Sequence, residues 1–166
     1  MERLWAPWRS QYVSSVADPS QEGTSCFLCE AIGSDPVYDR ELYIVARWER
    51  CFAILNRYPY NSGHVMVAPI RHVGELQELT EEELCDLMRK TRDIVSALQR
   101  AFSPHGFNIG LNLGRAAGAG LPEHLHIHIV PRWHGDTNFL PVTADVKVVS
   151  HALEDVYELL HGELRQ

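Results

Sequence analysis

Positive charge is what this sequence is short of. Its 166 residues carry 15 lysines and arginines against 22 aspartates and glutamates, a formal net charge of −7. A phosphate backbone is held by basic surface, so this balance argues against a binder of nucleic-acid polymers. It does not exclude a small anionic ligand, because a local pocket can oppose the overall sign. Long apolar runs are missing too: none approaches the roughly 18 residues of a membrane helix. The opening MERLWAPWRSQYV has no apolar signal-peptide core, which leaves the cytoplasm as the default address. Cysteine is scarce, at positions 26, 29, 51 and 85. In a cytosolic chain long enough to bury a core by itself, disulfides are not expected. Cys26 and Cys29 form a C-x-x-C, readable as a redox pair or as half a zinc site. Cys51 and Cys85 sit in apolar patterns and read as core residues.

Histidine, by contrast, is concentrated. The stretch HLHIHI places His124, His126 and His128 at every second position, with Leu125, Ile127 and Ile129 between them. On a strand, alternation puts all three imidazoles on one face. One histidine on a strand is ordinarily a hydrogen-bonded surface or half-buried residue. Three on one face must either repel as cations or stay neutral, and function is the usual reason for either. Two chemistries remain open. The three could ligate one catalytic metal, or one could be a nucleophile whose neighbours orient it and hold an anion. The surroundings favour the anion. The loop GRAAGAG (114–120) can aim backbone N–H groups at a phosphate. Asn112 adds an amide, and His64, after Ser62-Gly63, a further imidazole.

The organisation is that of one domain. A Trp-rich arm with Trp5 and Trp8, expected to dock on the domain or on a second subunit, and a polar loop occupy residues 1–25. A core spans 26–140, and a last strand and helix span 141–166. YIVAR (43–47) and CFAIL (51–55) read as a hairpin turned by Trp48, Glu49 and Arg50, followed by the strand HVMVA (64–68) ended by Pro69. Thr80 and Glu83 form a capping box opening a helix that runs to about residue 102. Its apolar stripe reads Leu84, Leu87, Met88, Val95, Leu98 and Phe102. FNIGLNLG (107–114) is a strand with Phe107, Ile109, Leu111 and Leu113 on one side. A short VKVV strand precedes a helix carrying Leu153, Val156, Tyr157, Leu160 and Leu164. The fold class is α+β: a mostly antiparallel sheet of about five strands, one long helix and a C-terminal helix.

HLHIHIV resembles the signature of the histidine triad (HIT) family of nucleotide hydrolases and transferases. So do CFLC and FAILNRYPYNSGHVMVAPIRHV. LWAPWR and EHLHIHIVPRWHGDTNF are similar to the bacterial diadenosine polyphosphate phosphorylase and hydrolase branch. The resemblance implies dinucleoside polyphosphate cleavage through a covalent nucleotidyl-histidine on His126, passed to phosphate or water. It implies catalytic or phosphate-contacting roles for His128 and His64, ribose binding by Asn56, and phosphate contact by Asn112. Gly118, Gly120 and Trp133 would line the substrate pocket. It further implies a structural zinc on Cys26, Cys29, His72 and His124, and a homodimer. Any Mg²⁺ would arrive with the polyphosphate. The family often has Gln or Ser three or four residues before the first triad histidine, where this chain has Gly120-Leu121-Pro122-Glu123. A second class of function stays open: a nucleotide-binding or zinc-stabilised interaction protein with weak hydrolysis of nucleoside phosphoramidates.

Overall fold

A computed structural model describes residues 26–137 and 149–165. The order of elements is α1 (Phe27–Gly33), α2 (Asp39–Leu42), β1 (Ile44–Arg47), β2 (Cys51–Leu55), β3 (Val65–Pro69), α3 (Glu81–Phe102), β4 (Gly106–Leu111), β5 (Ile127–Arg132) and α4 (Leu153–Leu164). The sheet runs β1-β2-β3-β5-β4 with every neighbour antiparallel. The α+β class and the expected hairpin are therefore present. The VKVV strand falls at 146–149, where 146–148 lie outside the described residues, as do Trp5 and Trp8.

Alternation decides which face each strand offers. Leu125, Ile127 and Ile129 join Val65, Val67, Ala53 and Leu55 in a buried cluster beneath α3 and α4. On the opposite face Phe52, Ile54, Met66 and Ala68 pack with Leu28 and Ala31 of α1. The triad histidines share this second face. Sequence patterning does not find α1 and α2, which are only 7 and 4 residues long. Cys26 caps α1, its sulfur accepting the Cys29 N–H at 3.4 Å. Their role is to roof the sheet.

Two readings of α3 are corrected. The Thr80 and Glu83 capping box is present, and the Glu83 carboxylate also holds Arg71. The buried face, however, is Glu83, Leu87, Thr91, Ile94, Ala97 and Leu98, whereas Met88 is 60% exposed and Leu84 37%. Choosing apolar residues alone rotated the stripe away from Thr91, a polar residue on the inner face. Cys85, expected in the core, is exposed for the same reason, while Cys51 is buried. On β4 only Phe107 packs against the core. Ile109, Leu111 and Leu113 stay 38–49% exposed because β4 is an edge strand beyond the reach of α3.

Candidate active site

The triad sits at the start of β5 rather than along it. Regular pairing begins at Ile127, so His124 and His126 precede the strand proper, against the expectation of a strand over 124–129. Pro69 ends β3 and has no N–H to extend the ladder. The chain is pinned instead by Leu125, whose N–H donates to the Val73 carbonyl at 2.7 Å. Gly74 lies under this crossing, where a Cβ would stand 2.6 Å from the Pro122 carbonyl oxygen.

His126 is buried, and its Nδ1 lies 2.8 Å from the His124 carbonyl oxygen. A carbonyl only accepts, so Nδ1 carries the proton and Nε2 keeps its lone pair. Burial lowers the His126 pKa, and the bond to His124 opposes this more weakly. The ring is therefore neutral at pH 7, the form in which Nε2 can attack.

A second proton chain fixes His128. The Tyr60 backbone N–H donates to His64 Nδ1 at 3.1 Å, so the His64 proton must sit on Nε2. That Nε2 is 3.0 Å from His128 Nδ1, which accepts and leaves the His128 proton on its own Nε2. The Asn112 amide nitrogen stands 3.5 Å from that Nε2, so two donors converge where an anion would fit. Burial, then the charges of neighbouring histidines, push His64 down to about 3 and His128 down to about 4.

A cavity of about 620 Å³ opens beside these groups. His126, His128, Asn112, Gly118 and Gly120 line it, and Phe27, Ala31, Leu42 and Ile54 give it an apolar slot. Asn56 is also on the wall, its Oδ1 accepting the Tyr58 N–H at 2.8 Å, which leaves the amide N–H₂ to donate. Sequence reasoning missed Tyr60, which acts through its backbone N–H, and the slot residues, because α1 was unseen.

Some expected residues stand elsewhere. His64 is 1% exposed and lies behind His128, off the cavity wall. Trp133 is not part of the wall; it follows β5 with its N–H on Asp136. The Gly118 N–H is spent on the Arg115 carbonyl, so the glycine loop does not offer it to a phosphate.

The remaining triad member faces a different cluster. His124 Nδ1 is 3.2 Å from Cys26 Sγ and 3.4 Å from Cys29 Sγ, while His72 Nδ1 is 3.2 Å from Cys29 Sγ. All four donor atoms lie within 4.8 Å of one another. A tetrahedron with ordinary Zn–S and Zn–N bonds has S···N edges of about 3.6 Å, so the set fits zinc with little movement. His124 Nε2 donates to the Pro69 carbonyl at 2.9 Å, which leaves Nδ1 free to ligate. Without a metal the Cys29 thiol is pushed up to about 11 by burial first and by Cys26 second.

The HIT domain family model matches residues 40–135. The chain is 42% identical over 164 residues to "AP-4-A phosphorylase" of Mycobacterium tuberculosis strain H37Rv, covering 98% of this chain and 84% of that one. It is 40% identical over 84 residues to the asymmetrical bis(5'-nucleosyl)-tetraphosphatase of Schizosaccharomyces pombe, covering 51% and 46%. Among solved structures, a zinc-bound histidine triad protein from Mycobacterium smegmatis superposes with a TM-score of 0.67 at 25% identity, covering 85% of this chain and 94% of that one. The spacing HLHIHI, its place beside the cavity and these likenesses agree: the chain belongs to the histidine triad family.

Proposed function

We propose that this protein is a nucleotidyl-transferring enzyme that cleaves dinucleoside polyphosphates of the diadenosine tetraphosphate type. The observation that carries this reading is the pair of opposed tautomers: a bare Nε2 on His126 beside a protonated Nε2 on His128, both facing one cavity. His126 Nε2 attacks the α-phosphorus, forming an N–P bond as the P–O bond to the leaving polyphosphate breaks. The His128 Nε2–H and the Asn112 amide donate hydrogen bonds to the phosphoryl oxygens as charge develops, and the polyphosphate leaves as its anion with no proton transferred. His64 does not touch substrate in this scheme; it positions His128. Asn56 donates to the ribose, and the apolar slot of Phe27, Ala31, Leu42 and Ile54 takes the base.

Phosphate is the acceptor we favour. The 42% identical relative is named a phosphorylase, and the cavity wall at Gly120 carries no side chain. The Gly118 N–H is engaged, which leaves Gly120 as the loop's glycine donor to an oxyanion. Diadenosine tetraphosphate with phosphate should give ADP and ATP, the ATP released first and the ADP formed from the adenylyl-histidine. AMP formed at full rate without phosphate, and no ADP when phosphate is added, would make water the acceptor.

Cys26, Cys29, His72 and His124 hold a structural zinc in this reading. Four protein ligands close the site and leave no position for substrate. The thiolate ligands suit a reducing cytoplasm. A homodimer joined along β4 would cover Ile109, Leu111 and Leu113 and pair an edge strand open among the described residues.

A further inference from the structure

We propose that Tyr58 and Tyr60 form an aromatic shelf that stacks the second base of the dinucleoside polyphosphate, the one that departs with the leaving nucleotide. This rests on the dinucleoside polyphosphate reading above. Such a substrate carries two bases, and the apolar slot of Phe27, Ala31, Leu42 and Ile54 takes one. Histidines aside, the other aromatic side chains on the cavity wall among the described residues are Tyr58 and Tyr60, both in the stretch NRYPY (56–60). Both are open to solvent, Tyr58 at 82% and Tyr60 at 51%.

The turn holds these rings in place before any ligand arrives. The Asn56 side chain accepts the Tyr58 N–H at 2.8 Å, an Asx turn, and Pro59 fixes the backbone between the two tyrosines. The Tyr60 N–H is spent on His64 Nδ1 at 3.1 Å. The Tyr60 ring lies 4.6 Å from the His64 ring and 5.9 Å from the His128 ring, centre to centre, tilted by 38° and 33°. It is thus backed by imidazoles while half of its surface stays open. His128 is also the residue that meets the phosphoryl oxygens, so the shelf begins where the leaving chain begins. Charge gives that chain the same direction. Arg57, between Asn56 and Tyr58, is the one lysine or arginine on the cavity wall among the described residues, and its guanidinium rests 5.9 Å from the centre of the Tyr43 ring. The phosphates beyond the α-phosphorus are drawn towards it. A base at the end of that chain then meets the tyrosine faces, and stacking of this kind tolerates any base.

The test compares two substrates that differ only in the second nucleoside, diadenosine tetraphosphate and adenosine 5′-tetraphosphate. Each is given with inorganic phosphate to the full chain and to Tyr58→Ser, Tyr60→Leu and Tyr60→Phe, with circular dichroism to report folding. The quantity read is the ratio of kcat/KM for the two substrates, because damage to His64 or His128 slows both alike and cancels. Tyr58→Ser and Tyr60→Leu should each lower that ratio about tenfold, the fall lying in KM for diadenosine tetraphosphate. Tyr60→Phe keeps the ring and should keep the ratio. A ratio unchanged from wild type in the folded Tyr58→Ser and Tyr60→Leu chains overturns the shelf while leaving nucleotidyl transfer standing. Should Tyr60→Leu fail to fold, the ratio in Tyr58→Ser decides alone. A wild-type chain that cleaves neither substrate overturns the underlying reading instead.

Discussion

His124 and His126 are two residues apart, on the same face of the same segment, and both are buried. One faces two sulfurs and a second imidazole; the other faces a cavity of about 620 Å³. The difference does not come from the histidines. It comes from what crosses above them: Cys26 at the start of α1 and His72 after β3 close the first position, while the slot under α1 and the turn at Tyr60 leave the second open. It also comes from which nitrogen meets a backbone carbonyl. His124 spends Nε2 on Pro69 and presents Nδ1, whereas His126 spends Nδ1 on His124 and presents Nε2. A residue type becomes a ligand or a nucleophile through its hydrogen bonds and its roof.

Substitutions should separate the two ends in order of effect. His126→Ala should lower kcat by at least about a thousandfold while nucleotide and zinc still bind, because only the attacking atom is gone. Steady-state rates with nucleotide titration and metal analysis check this, and zinc lost in step with activity would merge the two ends. His128→Ala should cost about a hundredfold or more in kcat, because a hydrogen-bond donor to the phosphoryl oxygens is lost. An unchanged kcat would remove its role as that donor.

At the closed end, Cys29→Ser should release zinc and lower thermal stability, since metal binding there is coupled to folding. Unchanged melting in zinc-free protein would show that the cluster is not structural.

Acid should act more gently, through the open end. His64 and His128 bind protons at about 3 and 4 when folded, against 6.5 for the free side chain. Between pH 6.5 and 4 the unfolded chain therefore binds more protons, and stability falls as pH is lowered through that window. Denaturation at stepwise pH, with His64→Gln flattening the slope, would confirm the sign; a stability rising on acidification would refute it.

Much of this was legible in the sequence where a local rule and the fold agree. The hairpin and the capping box at Thr80 rest on neighbours within a few residues and appear as read, while the triad keeps its shared face but only His128 lies within β5. What was not legible depends on distance. His64 reads as a phosphate contact because it lies beside Ser62-Gly63, yet its ring is placed 64 residues away, against His128. Gly118 reads as an anion donor, but its N–H closes its own turn at Arg115. The stripe of α3 slid because Thr91 is buried without a sequence reason, its hydroxyl lacking any partner among the described residues. The apolar slot draws on residues 27 to 54, which no single period connects.

The central claim is that His126, alone of the three, becomes bonded to phosphorus. The direct measurement is rapid acid-free quenching of the enzyme with diadenosine tetraphosphate in phosphate-free buffer, followed by intact-mass and peptide mass spectrometry. The account predicts one adenylyl group per chain at most, on His126, formed equally in chelator and discharged as ADP when phosphate is added. An adduct on another residue, or turnover that stops at once in chelator with no adduct at any time, would contradict it.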